Sequence, residues 1–248
     1  MRGLLALLLA DGSLVPYRSP AGGYIQLTLT AGVHESVFLE EKVAEFRHFI
    51  PTEAQIAPYK TAPRRNGRST WVLRFRVSTN RLRPIYNLLY PGGERTISAP
   101  ALDLLGGSAA AWLWAEGSRP RSDGSVELAR VGRTVAEAQL VNNWLALLTG
   151  AVGVIDDRRM QPRLQFDAAT ADKLCHALTP YAPRSRQHLF TREIWDECSL
   201  RSARTELLLG TGADRPQGSG DAAVAHPAAA GDGAHLPGSP AAFAPQAP

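Results

Sequence analysis

Two acidic residues stand at matching places in this chain, Asp11 and Glu116, 105 positions apart. Each follows an apolar run, residues 4–10 and 109–115, and each is followed by Gly-Ser. Carboxylate oxygens are the ligands that hard divalent cations such as Mg²⁺ prefer. At the end of a helix a carboxylate also faces the negative end of the helix dipole, at a cost of roughly 0.3–1 kcal/mol. Two acids at equivalent unfavourable places indicate that a cation offsets this repulsion.

The two apolar runs are predicted to be helices that pack side by side. Ala6 and Ala10 are four residues apart, and so are Ala111 and Ala115. Residues with this spacing share a helix face, so each run has a stripe of small side chains that leads to its acid. Close packing of the stripes would bring the carboxylates together, and like charges at short range need metal ions between them.

The glycine after each acid, Gly12 or Gly117, is predicted to end its helix in the left-handed conformation, which glycine adopts without a Cβ penalty. Taken alone, the first run would indicate only a buried helix followed by a turn, because an acid before Gly-Ser is common in turns. A secretory signal is disfavoured, since the run is short and leads directly into strand-like sequence. It is the second copy that favours a shared site.

The elements that follow the two runs have the same order in both halves. Alternation of polar and apolar residues predicts strands, and a 3.6-residue period predicts helices. In the first half, strands are expected at residues 23–30 and 68–79, and helices at 35–50 and 82–89. In the second half, strands are expected at residues 125–131, 152–155 and 163–166, and helices at 135–148 and 169–178.

The composition is basic and rich in arginine. The 248-residue chain has 27 Lys and Arg residues, of which three are lysines, a net charge of +4 and a pI near 9.3. Arginine suits bidentate contacts with phosphates and guanines, although a GC-rich genome would also raise its frequency. Two cysteines, Cys175 and Cys198, indicate neither a disulfide framework nor a zinc site. Because no apolar run is long enough to span a bilayer, we expect no membrane partner and a cytoplasmic or organelle-matrix location.

These features resemble the LAGLIDADG homing endonucleases, in particular the free-standing group with two motifs in one chain. The first motif is residues 4–12, and the second has Trp112 in register and Glu116 at the key acidic position, with Ala115 where an acid is frequent. Further similarity lies in Phe38, Leu39 and Lys42, and in residues 73–76, 85–91 and 178–181. The resemblance implies an α+β fold of two pseudo-twofold αββαββα repeats, with a saddle of antiparallel strands and a central pair of motif helices.

The predicted organisation has four parts. The first repeat is expected at residues 1–100, the second at 101–190, and a C-terminal helical extension at 191–210. Residues 211–248 are rich in Ala, Gly and Pro and contain few large apolar residues, so they are predicted to be a disordered tail.

The resemblance implies a site-specific double-strand DNA endonuclease that hydrolyses phosphodiester bonds with Mg²⁺ or another divalent cation. It assigns Asp11 and Glu116 as catalytic residues and metal ligands, with the backbone carbonyls of Ala10 and Ala115 as further ligands. Metal ions in such sites activate a water and stabilise the leaving oxygen. The partner is double-stranded DNA, and the protein is expected to act as a monomer.

The strand faces and basic loops are the expected DNA contacts, because a β-ribbon fits the major groove. In the strand at residues 68–79, Trp71, Leu73, Phe75 and Val77 are expected to face inward. For each contact residue, a solvated strand face or an ordinary basic loop is the alternative. The candidate contacts are Tyr24, Gln26, Thr28, Arg74 and Arg76, a loop cluster of Lys60, Arg64, Arg65 and Arg68, and in the second half Arg158, Arg159, Arg163 and Gln165.

Two rival interpretations remain at this point. The second motif, which has Ala115 where an acid is frequent, favours a cleavage-deficient nucleic-acid-binding protein. Such a protein would be either a maturase whose partner is its host intron RNA or a regulator. The other rival is a plain α/β protein with a coincidental repeat, which predicts no salt-dependent affinity for DNA.

Overall fold

The computed structural model describes residues 2–19, 22–47, 53–63 and 69–191. The predicted helical extension at residues 191–210, apart from its first residue, and the predicted tail at residues 211–248 lie outside these ranges. Within the described ranges, no helix is both long enough and apolar enough to cross a membrane. Both acids and the elements that carry them lie inside the described ranges.

The first half alternates helices with pairs of strands. Its elements are α1 (Arg2–Ala10), β1 (Ser13–Ser19), β2 (Gly22–Gly32), α2 (Ser36–Phe46), β3 (Ile56–Lys60), β4 (Trp71–Thr79) and α3 (Arg83–Leu89). The four strands form an antiparallel sheet in the order β1-β2-β4-β3. Short 3₁₀ segments at Val33–Glu35 and Asn80–Leu82 lead into α2 and α3.

The second half repeats this order. A short helix, α4 (Ala99–Leu102), precedes α5 (Gly107–Gly117), β5 (Ser118–Pro120), β6 (Val126–Leu128), α6 (Val135–Thr149), β7 (Val154–Asp156), β8 (Arg163–Phe166) and α7 (Ala168–Leu178). The sheet order is β5-β6-β8-β7, again antiparallel and equivalent to the order in the first half. The pattern αββαββα therefore occurs twice, which confirms the predicted α+β fold of two similar halves. The residue boundaries expected for the two repeats stay a prediction.

The two motif helices, α1 and α5, pack against each other. Residues 4–9 of α1 are each at most 2% exposed, and residues 109–115 of α5 at most 5%. A helix that is buried on all sides is apolar on all sides, which explains why neither run has a polar face. Burial of each leucine of α1 contributes roughly 1.5–3 kcal/mol, so the acids stand at the ends of firmly held helices.

Three details of the first sheet differ from the sequence prediction. Alternation does not locate β3, because this edge strand is exposed along most of its length and contains Pro58, which an edge tolerates. Lys60, expected in a loop, is the last residue of β3. Trp71, expected to face the core, is 57% exposed, because burial on that face of β4 begins only with Leu73.

Candidate functional site

The acids at the ends of α1 and α5 converge on the same two basic side chains. Lys42 Nζ, from α2, lies 3.3 Å from Asp11 Oδ2 and also forms an ion pair with Glu116 Oε1. Arg130 Nη1, from the segment after β6, lies 2.9 Å from Asp11 Oδ1 and 3.7 Å from Glu116 Oε2. The four side chains form a cluster of two carboxylates and two cations.

Lys42 is the most deeply buried member of this cluster. The residue is 1% exposed, and its Nζ lies 4.5 Å from the centre of the Phe38 ring. Burial lowers the pKa of Lys42, and the nearby Asp11 carboxylate only partly offsets this effect. Burial also disfavours the charged form of Asp11, but Lys42, Arg130 and the Gly12 N–H together hold the pKa of Asp11 below its ordinary value. Asp11 is therefore ionised at neutral pH.

The glycines after the acids end their helices in different ways. Gly12 has a φ of 85°, the left-handed conformation that the sequence predicts. Gly117 is the last residue of α5 and is followed by the extended Ser118, so the same prediction is wrong there. At Gly117 a Cβ atom would lie 2.6 Å from Ala129 O, which means that glycine is needed for close packing of α5 against the chain after β6.

Arg130 has an unusual backbone conformation. Among the described residues other than glycine, it alone has a positive φ, 66°. This conformation costs roughly 1–2 kcal/mol, and strained residues of this kind cluster at functional sites. The strain accompanies a guanidinium that contacts both carboxylates. No local pattern in the sequence signals this conformation, because it depends on the tertiary contact.

Open space borders the cluster on two sides. A cleft of about 550 Å³ is lined by Asp11, Arg95 and Arg130, and a second, of about 380 Å³, is lined by Asp11, Glu116 and Lys42, each together with other residues. Arg95 also donates a hydrogen bond to a main-chain carbonyl in the last turn of α1. The clefts give a phosphate group or a small cation access to carboxylates that are otherwise mostly buried.

The donor set fits a divalent cation that keeps ligands from outside the protein. Asp11 and Glu116 already share one ammonium group as a common partner. The described residues contain no group of three or more His, Cys, Asp and Glu side chains that could hold a metal ion. Mg²⁺ typically binds through one or two carboxylates and completes its shell with water and substrate phosphates. Ligation by the carbonyls of Ala10 and Ala115 stays a prediction.

The outward face of the first sheet is polar and carries arginines without carboxylates. None of the residues of its four strands is Asp or Glu. The register pairs Gln26 with Ser78 and Thr28 with Arg76. Gln26 Nε2 donates to Ser78 Oγ at 3.3 Å, and the Arg74 guanidinium stacks on a tyrosine ring of β3. This face holds the candidate contacts Tyr24, Gln26, Thr28, Arg74 and Arg76.

The outward face of the second sheet instead has arginines clustered around two buried acids. Glu127 on β6 forms ion pairs with Arg121, Arg159 and Arg163. Asp156 on β7 is contacted by the side chains of Arg158 and Gln165. All four candidate contacts of this half therefore lie in ionic networks: Arg158, Arg159, Arg163 and Gln165.

Sequence reasoning places some site residues and misses others. The expected contacts Arg64, Arg65 and Arg68 lie outside the described residues. The motif resemblance includes Lys42 but does not predict that it bridges both acids. The site residues that the sequence analysis does not assign are Arg95, Arg121, Glu127, Arg130 and Asp156. One sequence feature could have indicated the second network: Glu127 is a single acid between two apolar residues on the short strand β6.

Comparison with known proteins shows the fold. The sequence matches no protein-family model and no curated protein. The homing endonuclease I-WcaI, solved bound to its DNA recognition sequence, superimposes with a TM-score of 0.63 over 77% of this chain and 84% of that chain, at 11% identity. I-DmoI in complex with DNA and Mn gives a TM-score of 0.48 over 71% of this chain and 94% of that chain, at 15% identity. The N-terminal LAGLIDADG domain of WhiA gives a TM-score of 0.42 over 71% of this chain and 81% of that chain, at 13% identity. The resemblance predicted from the two motifs is thus confirmed at the level of the fold.

Proposed function

We propose that this protein, which has the LAGLIDADG fold, is a site-specific double-strand DNA endonuclease of the homing type that depends on a divalent cation. The observation that carries the proposal is the convergence of Asp11 and Glu116, from two separate helices, on one shared ammonium group. Two carboxylates that meet the same ammonium nitrogen lie close enough together to hold a cation. The likeness to I-WcaI, whose structure contains its DNA recognition sequence, supports the choice of substrate.

Each member of the cluster has a distinct part in the proposed chemistry. Asp11 and Glu116 would hold the cation, and the chemistry that it would supply there is activation of a water and neutralisation of charge on the leaving oxygen. Lys42 holds the two carboxylates together and keeps their like charges compatible with burial. Arg130, 45% exposed at its side chain, faces the larger cleft and can neutralise a phosphate. Mg²⁺ is the expected ion, by the preference of carboxylate sites for hard cations.

The two sheets are the proposed DNA-binding surfaces. Their outward faces carry arginines and polar side chains of the kind that contact phosphates and base edges in the major groove. Because one chain supplies both acids and both sheets, we propose that a monomer completes the site.

A nucleic-acid-binding protein without cleavage activity is the second candidate. One specific observation favours it: Lys42 and Arg130 already balance the charges of Asp11 and Glu116 without a metal ion. In that case the cluster and the two sheets would support binding of DNA, or of host intron RNA, rather than hydrolysis. The two candidates predict the same binding and different products.

A library experiment separates these candidates. Purified protein is incubated with a pool of plasmids carrying randomised inserts, in Mg²⁺ or in EDTA, and both bound and linearised plasmids are sequenced. We expect one sequence class to be bound in both conditions and linearised only in Mg²⁺. Asp11→Asn should abolish linearisation, whereas Asp103→Asn, an exposed acid outside the cluster, should not. Binding without linearisation in Mg²⁺ would favour the second candidate, and linearisation by Asp11→Asn would contradict the assigned site.

A further inference from the structure

Glu127 is a buried carboxylate beneath the outward face of the second sheet. It is 3% exposed and lies on β6 between two inward-facing apolar residues. Its Oε2 is 2.5 Å from Arg121 Nη2 and 3.7 Å from Arg159 Nη2, and its Oε1 forms an ion pair with Arg163. A single carboxylate therefore organises three arginines that come from different parts of the sheet.

A second carboxylate does the same at the neighbouring strand. Asp156 Oδ1 accepts from Arg158 Nε at 2.8 Å, and Oδ2 accepts from Arg158 Nη2 at 3.1 Å and from Gln165 Nε2 at 2.8 Å. The register places Gln165 opposite Glu127 and Arg163 opposite Asp156, so the two networks adjoin. Each acid therefore receives donors from more than one side chain.

Stability alone does not explain this arrangement. A buried acid needs one well-placed cation, and a buried ionic cluster is often no more stable than apolar residues of the same volume. Three arginines on Glu127 therefore exceed what its burial requires. A fixed arginine, in contrast, loses less conformational freedom when it binds, and this preorganisation is what improves selective recognition.

We propose that Glu127 is a positioning residue that fixes Arg121 and Arg163 for reading guanine bases in the major groove. The inference rests on the proposed function, in which this face meets DNA. Arg163 meets Glu127 through Nη1, so its other N–H groups can donate to guanine O6 and N7. The carboxylates also cancel part of the positive charge, so the network favours base reading over general phosphate binding. Asp156 holds Arg158 and Gln165 in the same manner.

The substitution Glu127→Gln tests this role with the full chain. The wild type and the variant each select duplexes from a randomised pool, and the affinity for the selected and for unselected duplexes is titrated with salt. We expect the wild type to select guanines in one half of the site. The variant should lose roughly fivefold to 150-fold of its preference at those positions, with no loss of affinity for unselected duplexes. Asp103→Asn, which makes the same change of charge at an exposed position, should leave the preference unchanged.

Further variants keep the inference testable if Glu127→Gln does not fold. Arg121→Lys and Arg163→Lys preserve the charge and remove the planar fork, so each should lose the same guanine preference. The proposal is overturned if Glu127→Gln, or in its place both lysine variants, select the wild-type sequence unchanged. A wild type that selects no sequence at all would instead contradict the proposed function, so the two failures are distinguishable.

Discussion

The two halves share the order of their elements and the sheet topology but differ in the surfaces that these elements carry. The first sheet has long strands, up to 11 residues, and its arginines stack or stand among uncharged polar side chains. The second sheet has strands of three or four residues, and its arginines are tied to Glu127 and Asp156. The two halves are thus alike where each positions an acid, and they differ on the faces that are proposed to contact DNA.

The two acids also differ in their exposure and in the way that their helices end. Asp11 is 21% exposed at its side chain and Glu116 9%, although both meet Lys42. Gly12 ends α1 through its positive φ, whereas Gly117 ends α5 by close packing against Ala129 O. Equivalent positions in a duplicated fold therefore keep the same residue type for different physical reasons.

Removal of the Lys42 ammonium group, which contacts the acids of both halves, should have the largest effect on stability. Lys42→Met leaves two like charges at short range with their buried partner gone, so we expect a loss of roughly 3–5 kcal/mol in the free energy of unfolding. Arg130→Met removes a half-exposed partner of the same acids and should cost no more than about 1 kcal/mol. Denaturant titration of both variants measures the difference.

Added Mg²⁺ gives a second test of the role of Lys42 that needs no activity assay. Because a bound ligand stabilises the folded state by mass action, Mg²⁺ should raise the melting temperature of Lys42→Met more than that of the wild type. Equal stability of Lys42→Met and Arg130→Met would show that Lys42 does not hold the cluster together.

Alanine at the two helix-ending glycines should reveal their different roles. In Gly117→Ala the new Cβ meets the main-chain oxygen of Ala129, so the chain after β6 must shift, at a cost of roughly 1–3 kcal/mol. In Gly12→Ala the positive φ is strained, and the Cβ would also lie 2.6 Å from Leu29 Cδ2, the end of a side chain. We therefore expect Gly117→Ala to change amide hydrogen exchange around residues 126–130, and Gly12→Ala to lower stability without that change. Identical exchange patterns would contradict the distinction.

Substitution of one arginine from each sheet should separate affinity from selectivity. Arg76→Gln is expected to weaken binding to all duplexes and to reduce the slope of log affinity against log salt by about one, as loss of a phosphate contact does. Arg163→Gln should cost roughly 1–3 kcal/mol at particular base pairs and relax the selected sequence there. Salt titrations with selected and unselected duplexes test both. If Arg163→Gln weakened binding to all duplexes equally, the second sheet would contribute to affinity, as the first does, and not to selectivity.

The smallest expected effect is a pH dependence of the melting temperature that Asp156 causes in the second half. Hydrogen bonds from Arg158 lower the pKa of Asp156 to about 2, from an ordinary 3.8. A depressed carboxyl pKa stabilises the fold above the ordinary value, and this contribution is lost as the pH falls towards about 2. The melting temperature of the wild type should exceed that of Asp156→Asn near neutral pH, and the gap should close between pH 3.8 and about 2. Asp157→Asn, an exposed neighbour, serves as the charge-matched control, and a gap that persists at pH 2 would contradict the role of Arg158.

The sequence predicts the parts of the molecule that depend on local pattern. The repeated apolar run with its acid leads to the two motif helices, and alternation leads to β2, β4 and β8. It does not lead to β3, whose residues are exposed on both faces. Periodicity reports burial, so an exposed edge strand carries no such signal.

Contacts between distant segments are beyond local pattern. Arg130 reaches Asp11 across 119 positions because the chain after β6 takes a positive φ, and nothing around Arg130 in the sequence requires that conformation. The ion pairs of Glu127 likewise depend on the pairing of β6 with β8. The candidate acids could therefore be predicted, whereas the cations that organise them could not.

The most direct test of the proposed site is cleavage of a selected duplex in Mg²⁺ by the wild type, Asp11→Asn, Glu116→Gln and the double variant. If the two acids act as one cation-binding unit, each single variant should lose at least about a hundredfold in rate. The double variant should then be little worse than either single variant, because residues that act as a unit are not additive. Cleavage of both strands at the wild-type rate by either single variant, or losses that multiply in the double variant, would contradict the account.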